Sequence, residues 1–271
     1  MSVFRAPTPR GGRLEAARAK IAAIEMGGRA DSGVLPFGDL AIDGCLPGGG
    51  LPLGRWHEIG GEAMEVETAA APAAFTALLA APLARRGEVV WVLRRDDLCA
   101  PGLLGLGFPA ERLIQVCARD EAEALSVMED ALATVGVSAV VGEVEACDLT
   151  AGRRLQLACE KRGSTGFLIR RRPYGGQARR EATGSAAATR WRVASAPSEP
   201  PAGEFGLGAP RFTATLERCR GGRTGAWLLE AADAFSGAYS LEMTDVAHPL
   251  RLVADLGDRQ LAPAQPLRLA G

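Results

Sequence analysis

The sequence predicts an α/β fold, a mostly parallel sheet flanked by helices, with an N-terminal helix ahead of it and a C-terminal hairpin plus tail behind. Three observations predict it. Short β-branched runs such as EVVWVL (88–93) and SAVV (138–141) have the unbroken apolar character of strands buried on both faces. Stretches of helical spacing separate these runs, and strand–helix alternation implies parallel strands joined by crossover helices. With 271 residues, 47% of them hydrophobic, the chain can bury a large interior.

Taken in order, residues 1–10 are polar with two prolines and are expected to lack structure. Residues 11–26 place Leu14, Ala17, Ile21 and Ile24 at helical spacing among charged residues, a short amphipathic helix that stops at Gly27-Gly28. Its apolar stripe packs on its own domain or docks on a partner. A strand is predicted from Trp56 to Ile59, then a glycine turn at Gly60-Gly61, then a threonine opening an Ala-rich helix. After strand 88–93 come a helix over 121–134, the strand at 138–141, a helix over 149–162 and a strand at 166–169. Residues 174–188, rich in Gly, Ala, Arg and Ser, are expected to form a mobile loop. A strand at 190–193, a Pro/Gly-rich linker, and a hairpin of 212–219 with 226–230 complete the core. The domain expectation is therefore a helix within 1–30, a core over 31–240 and a flexible tail over 241–271. In that tail Leu250, Leu252, Leu261 and Leu267 are candidates for ordering on a partner.

Residues 51–68, LPLGRWHEIGGEAMEVET, carry the strand–loop–helix frame in which backbone N–H groups cradle phosphates and a lysine reaches the terminal ones. With the motif begun at Gly61, its second glycine falls on Val66, its lysine on Glu67 and its Mg²⁺-binding hydroxyl on Thr68. Only Gly61 and Thr68 keep the required type. A lysine about 4 Å from a phosphate charge gains roughly 4 kcal/mol at an effective dielectric near 20, and a glutamate reverses the sign. A micromolar site is worth only about 8 kcal/mol in all. The frame is kept and its phosphate chemistry removed; the plainer alternative is that Gly60-Gly61 is an ordinary turn.

The bulk properties exclude several function classes. A net charge of −1 gives no global field toward nucleic acid, so any such contact is local. Six cysteines are scattered without a C-x-x-C pair, which reads as buried reduced thiols and no metal site. His57 and His248 lie in different elements, so a His-based triad has no support. Asp96-Asp97 reads as a solvated turn and not as a paired-carboxylate catalyst. No signal peptide or long apolar run is present, so a cytoplasmic protein without membrane contact is expected.

The run LPFGDLAIDGCLPGGGLPLGRWHEIGG (35–61) resembles the segment leading into the nucleotide loop of the RecA recombinase family. LGLG at 104–107, the EAEAL helix and the SAVVGEV strand follow with similar spacing, so the resemblance covers roughly residues 33–235. It implies a RecA-like core. Four parts of the ATPase site depart from the pattern. Beside the loop, Arg95 stands where a water-activating carboxylate is expected, and Glu143 is displaced from the metal position. Arg170, Arg171 and Arg172 end the strand that should carry a phosphate-sensing amide. A sheet kept without its loop chemistry implies a platform without catalytic residues or a cofactor.

This combination resembles the ImuA family, RecA-like accessory proteins of SOS-induced, error-prone translesion DNA synthesis in bacteria. The resemblance implies as partners an inactive Y-family-type polymerase (ImuB), an error-prone DnaE-type polymerase complex, and RecA. The rival readings are an atypical ATPase or recombinase-like DNA-binding protein and a SulA-like cell-division inhibitor. Single-stranded DNA contact would use Arg170, Arg171, Arg172, Arg179 and Arg180, with Tyr174 stacking on a base. A solvated arginine run is the alternative for the same residues.

Overall fold

The computed structural model describes residues 33–62, 70–171, 185–200, 202–231 and 249–257. Eleven strands, five α-helices and one short 3-10 helix (Ala110–Arg112) are present among them. In chain order they are β1 (Val34–Leu35), α1 (Leu40–Asp43), β2 (Leu51–Pro52), β3 (Trp56–Gly61), α2 (Ala70–Ala84), β4 (Glu88–Leu93), α3 (Ala100–Leu104) and β5 (Leu113–Cys117). Then come α4 (Glu121–Leu132), β6 (Val137–Val144), α5 (Leu149–Arg162), β7 (Thr165–Arg170), β8 (Thr189–Ala196), β9 (Arg211–Cys219), β10 (Gly225–Ala231) and β11 (Leu250–Asp255).

Nine strands form one sheet in the order β11-β10-β9-β8-β3-β7-β6-β4-β5. From β8 to β5 all neighbours are parallel, and β9, β10 and β11 add an antiparallel wing. This is the mostly parallel, helix-flanked α/β architecture that the strand–helix alternation predicts.

Period-two alternation sends neighbouring side chains to opposite layers. Val89, Trp91 and Leu93 of β4 face the layer containing α2, whereas Val90 and Val92 face the layer containing Met128 of α4 and Leu155 of α5. Helix α2 is apolar on nearly every side because it is enclosed, with Phe75, Leu78 and Leu79 wholly buried. Pro82 breaks its hydrogen-bond ladder just before the helix ends at Ala84. Helices α4 and α5 begin where Asp120 and Asp148 accept from the backbone N–H of Glu123 and Ala151, and α5 ends at Gly163 with φ 76°.

Several expectations are corrected. Gly60 and Gly61 continue β3 instead of turning, because they pair with Arg192 and Val193 of β8. The expected mobile loop 174–188 lies outside the described residues up to 184, but Ala186–Ala188 are buried. The hairpin of β9 and β10 forms as predicted, yet it is not terminal. Residues 250–255, expected in a flexible tail, are strand β11, held antiparallel to β10 through Ala231↔Leu250. Leu250 is 1% exposed and Leu252 packs against the same core, so neither offers a free docking side chain. Leu14, Ile21, Ile24, Leu261 and Leu267 lie outside the described residues. All six cysteines are free; Cys159 is buried, but Cys99 and Cys117 are exposed, against the expectation of burial. No helix among the described residues is long and apolar enough to cross a membrane.

Candidate functional site at the carboxyl ends of the parallel strands

In an open α/β sheet, ligands bind beyond the carboxyl ends of the strands, and β3, β4, β6, β7 and β8 all end on that side here. What stands there is a set of carboxylates already held by arginines.

Two clusters form it. Glu58 of β3 is 4% exposed. Its carboxylate accepts from Arg170 Nη1 at 2.9 Å, Arg190 Nε at 3.2 Å and Ser185 Oγ at 2.9 Å. These partners meet because β3 lies between β7 and β8, which carry the two arginines. Burial pushes the Glu58 carboxyl up, but the Arg170 hydrogen bond and the charges of Arg190 and Arg170 outweigh it, holding the group below its ordinary range.

The second cluster surrounds Glu143 of β6, which is 3% exposed. One oxygen accepts from Trp91 Nε1 at 2.9 Å and the other from Arg171 Nη1 at 2.5 Å. Arg171 bridges onward to Asp97 at 2.6 Å. Burial raises the Glu143 carboxyl above its ordinary range despite Trp91 and Arg171. A shallow cleft opens here, lined by Arg94, Arg95, Glu143, Val144, Glu145 and Arg171.

His57, next to Glu58 but on the opposite face of β3, is fully buried. Its Nε2 faces the Pro52 carbonyl at 2.9 Å and therefore carries the proton, while Nδ1 accepts from the Thr189 hydroxyl at 2.7 Å. Burial lowers its pKa to about 4, offset in part by the Pro52 carbonyl, so it is a neutral core histidine.

The sequence-predicted residues divide accordingly. Gly60 and Gly61 border a depression shared with Glu58, Arg170 and Arg190. A Cβ on Gly60 would meet nothing within 4 Å, and Gly60 has no positive φ, so no backbone demand explains that glycine. Val66, Glu67 and Thr68 lie outside the described residues, as do Arg172, Tyr174, Arg179 and Arg180. Arg170 and Arg171, expected as flexible cations open to DNA, are instead committed to Glu58 and Glu143, a correction forced by burial of those carboxylates. Asp97, expected in a solvated turn, takes part in the second cluster. Glu58, Arg190, Ser185 and Trp91 were missed. The usable signal was a glutamate inside the buried run WHEIG, because a charge in such a strand demands a partner.

Fold and site together describe an α/β protein with two buried carboxylates held by arginines at the carboxyl ends of its parallel strands. The chain is 58% identical over 253 residues to Protein ImuA of Caulobacter vibrioides strain NA1000 / CB15N, covering 92% of this chain and 100% of that protein. The same values hold for Protein ImuA of strain ATCC 19089 / CIP 103742 / CB 15. The chain belongs to the ImuA family. No model of a known protein family matches it. A crystal structure of the RadB recombinase aligns with a TM-score of 0.49 and 18% identity over 74% of this chain and 97% of that one.

Proposed function

We propose that the protein is a non-catalytic, RecA-like accessory component of SOS-induced, error-prone translesion synthesis that acts in the cytoplasm by docking other proteins. The observation that carries this reading is the ion pair of Arg171 with Glu143. A strand-end carboxylate near the metal position of a RecA-like site is bonded on both oxygens, to Arg171 and to Trp91. Releasing it to a divalent cation would leave Arg171 short of one carboxylate in a site where it is 18% exposed. In the sequence, Glu67 stands at the lysine position of the loop motif, a charge of the same sign as a phosphate. Kinship to proteins named ImuA supports the cellular role.

The partners proposed are the ImuB-type inactive polymerase, the error-prone DnaE-type polymerase complex and RecA. Single-stranded DNA contact, if made, falls to Arg172, Arg179, Arg180 and Tyr174, since Arg170 and Arg171 are engaged. Titration calorimetry with ATP and Mg²⁺ tests the non-catalytic reading. No binding tighter than about millimolar is expected, which corresponds to roughly 4 kcal/mol. A low-micromolar affinity accompanied by phosphate release would overturn it.

A further inference from the structure

The loop joining β8 to β9 ends in an apolar tip that nothing among the described residues covers. Phe205 is 104% exposed and Leu207 is 94% exposed. Yet the loop is built, not slack. Gly203 and Gly206 have φ of 86° and 126°, conformations that other residues avoid, and they bracket Phe205. At the base, a Cβ on Gly208 would lie 1.8 Å from the Glu199 carbonyl oxygen, so only glycine lets the two strands of the loop touch. Glu199 is tied to Arg211 at 3.1 Å, and Arg211 is anchored on Glu230 at 2.7 Å. The pinned base therefore presents Phe205 and Leu207 outward, beside exposed Glu204, which has no ion pair among the described residues.

A surface of opposite character lies on α5. Arg153, Arg154, Leu157 and Lys161 share its outer face at helical spacing, and all are exposed, Leu157 to 66%. Arg154 pairs with Glu129 at 2.6 Å, whereas Arg153 and Lys161 have no ion pair among the described residues. An apolar side chain with cations before and after it matches an apolar tip with an adjoining carboxylate. A central leucine would find no counterpart on a phosphodiester backbone, so protein fits this face better than nucleic acid.

We propose that these two surfaces bind each other between copies of the chain, the loop tip of one copy resting on the α5 face of the next. Because the patches differ, the contact is heterologous and leads to rings or open assemblies instead of a closed two-fold dimer. It is small, so the association is weak, concentration-dependent and favoured by low salt.

Sedimentation velocity on the full chain at low salt, over a concentration series, tests it. The expected result is a reversible rise in weight-average mass. Phe205→Ala with Leu207→Ala, or Leu157→Glu alone, should each weaken association by about tenfold or more. Arg153→Glu with Lys161→Glu should weaken it as well, and adding Glu204→Lys should restore part of the loss. All these side chains are exposed, so thermal melting should be unchanged, which separates lost contact from lost fold. Photo-crosslinking from p-benzoyl-phenylalanine in place of Phe205 should give a covalent dimer joined to residues 149–162. A monomer at every concentration, association indifferent to these variants, or crosslinks mapping away from α5 would each overturn the proposal.

Discussion

Arg171→Met removes the guanidinium from Glu143 while keeping most of the aliphatic stem. Glu143 is 4% exposed at the side chain, so solvent cannot replace the lost partner, and Trp91 supplies only one neutral hydrogen bond. Breaking one side of a buried pair costs about 3–5 kcal/mol when the other side stays charged. The carboxyl has an escape, which is to take up a proton. From the ordinary value of 4.5 to a solution at about pH 7, protonation costs about 3.4 kcal/mol at 1.36 kcal/mol per unit. At about pH 5 the same escape costs only about 0.7 kcal/mol. The charge-related loss is capped by these figures.

The sign follows from the raised carboxyl. Such a group contributes stability that is full below its unfolded pKa and lost as pH rises through the folded one. Removing Arg171 raises the folded value further, so the deficit against wild type opens only above the wild-type folded value and grows from there toward neutral pH. Urea unfolding at both pH values measures it. We expect a loss of about 2–3 kcal/mol near neutrality and under about 1 kcal/mol at about pH 5. Adding Glu143→Gln, which leaves Trp91 an acceptor and no buried charge, should recover most of the neutral-pH loss. An equal deficit at both pH values, or none at either, would refute the claim that Arg171 neutralises Glu143.

Two further outcomes follow from burial. His57 titrates at about 4 in the folded chain against an ordinary 6.5, so the stability it contributes is complete above 6.5 and falls away as pH drops toward 4. The shift corresponds to about 3 kcal/mol, and His57→Gln should flatten that acid limb in a plot of urea midpoint against pH. Leu250→Ala should cost about 2–4 kcal/mol by opening a cavity at the base of β11, with the half-buried Leu252→Ala costing less. Melting temperatures unmoved by Leu250→Ala would return residues 250–255 to the status of a tail.

Much of the architecture was legible because its signals are local. Strands β4 and β6 announce themselves by β-branched runs, and α5 by helical spacing ahead of Gly163. Strand β5 was missed because Ile114, Gln115 and Cys117 are exposed at the sheet edge, which dilutes its pattern. Strand β11 was missed for a related reason. It alternates buried and exposed residues so briefly, among Leu, Pro and Arg, that only its pairing with β10 marks it as a strand.

The chain order alone determined the helix-flanked, mostly parallel sheet, because strand and helix patterns are read from neighbours a few residues apart. Only the tertiary structure decided which charges meet. Glu58 and Arg170 are 112 residues apart in sequence, and they touch because β3 and β7 are adjacent and in register. A run of arginines looks the same on paper whether it faces water or a buried carboxylate. Strand adjacency distinguishes the two, since burying Glu58 and Glu143 without a cation would cost more than the fold could bear.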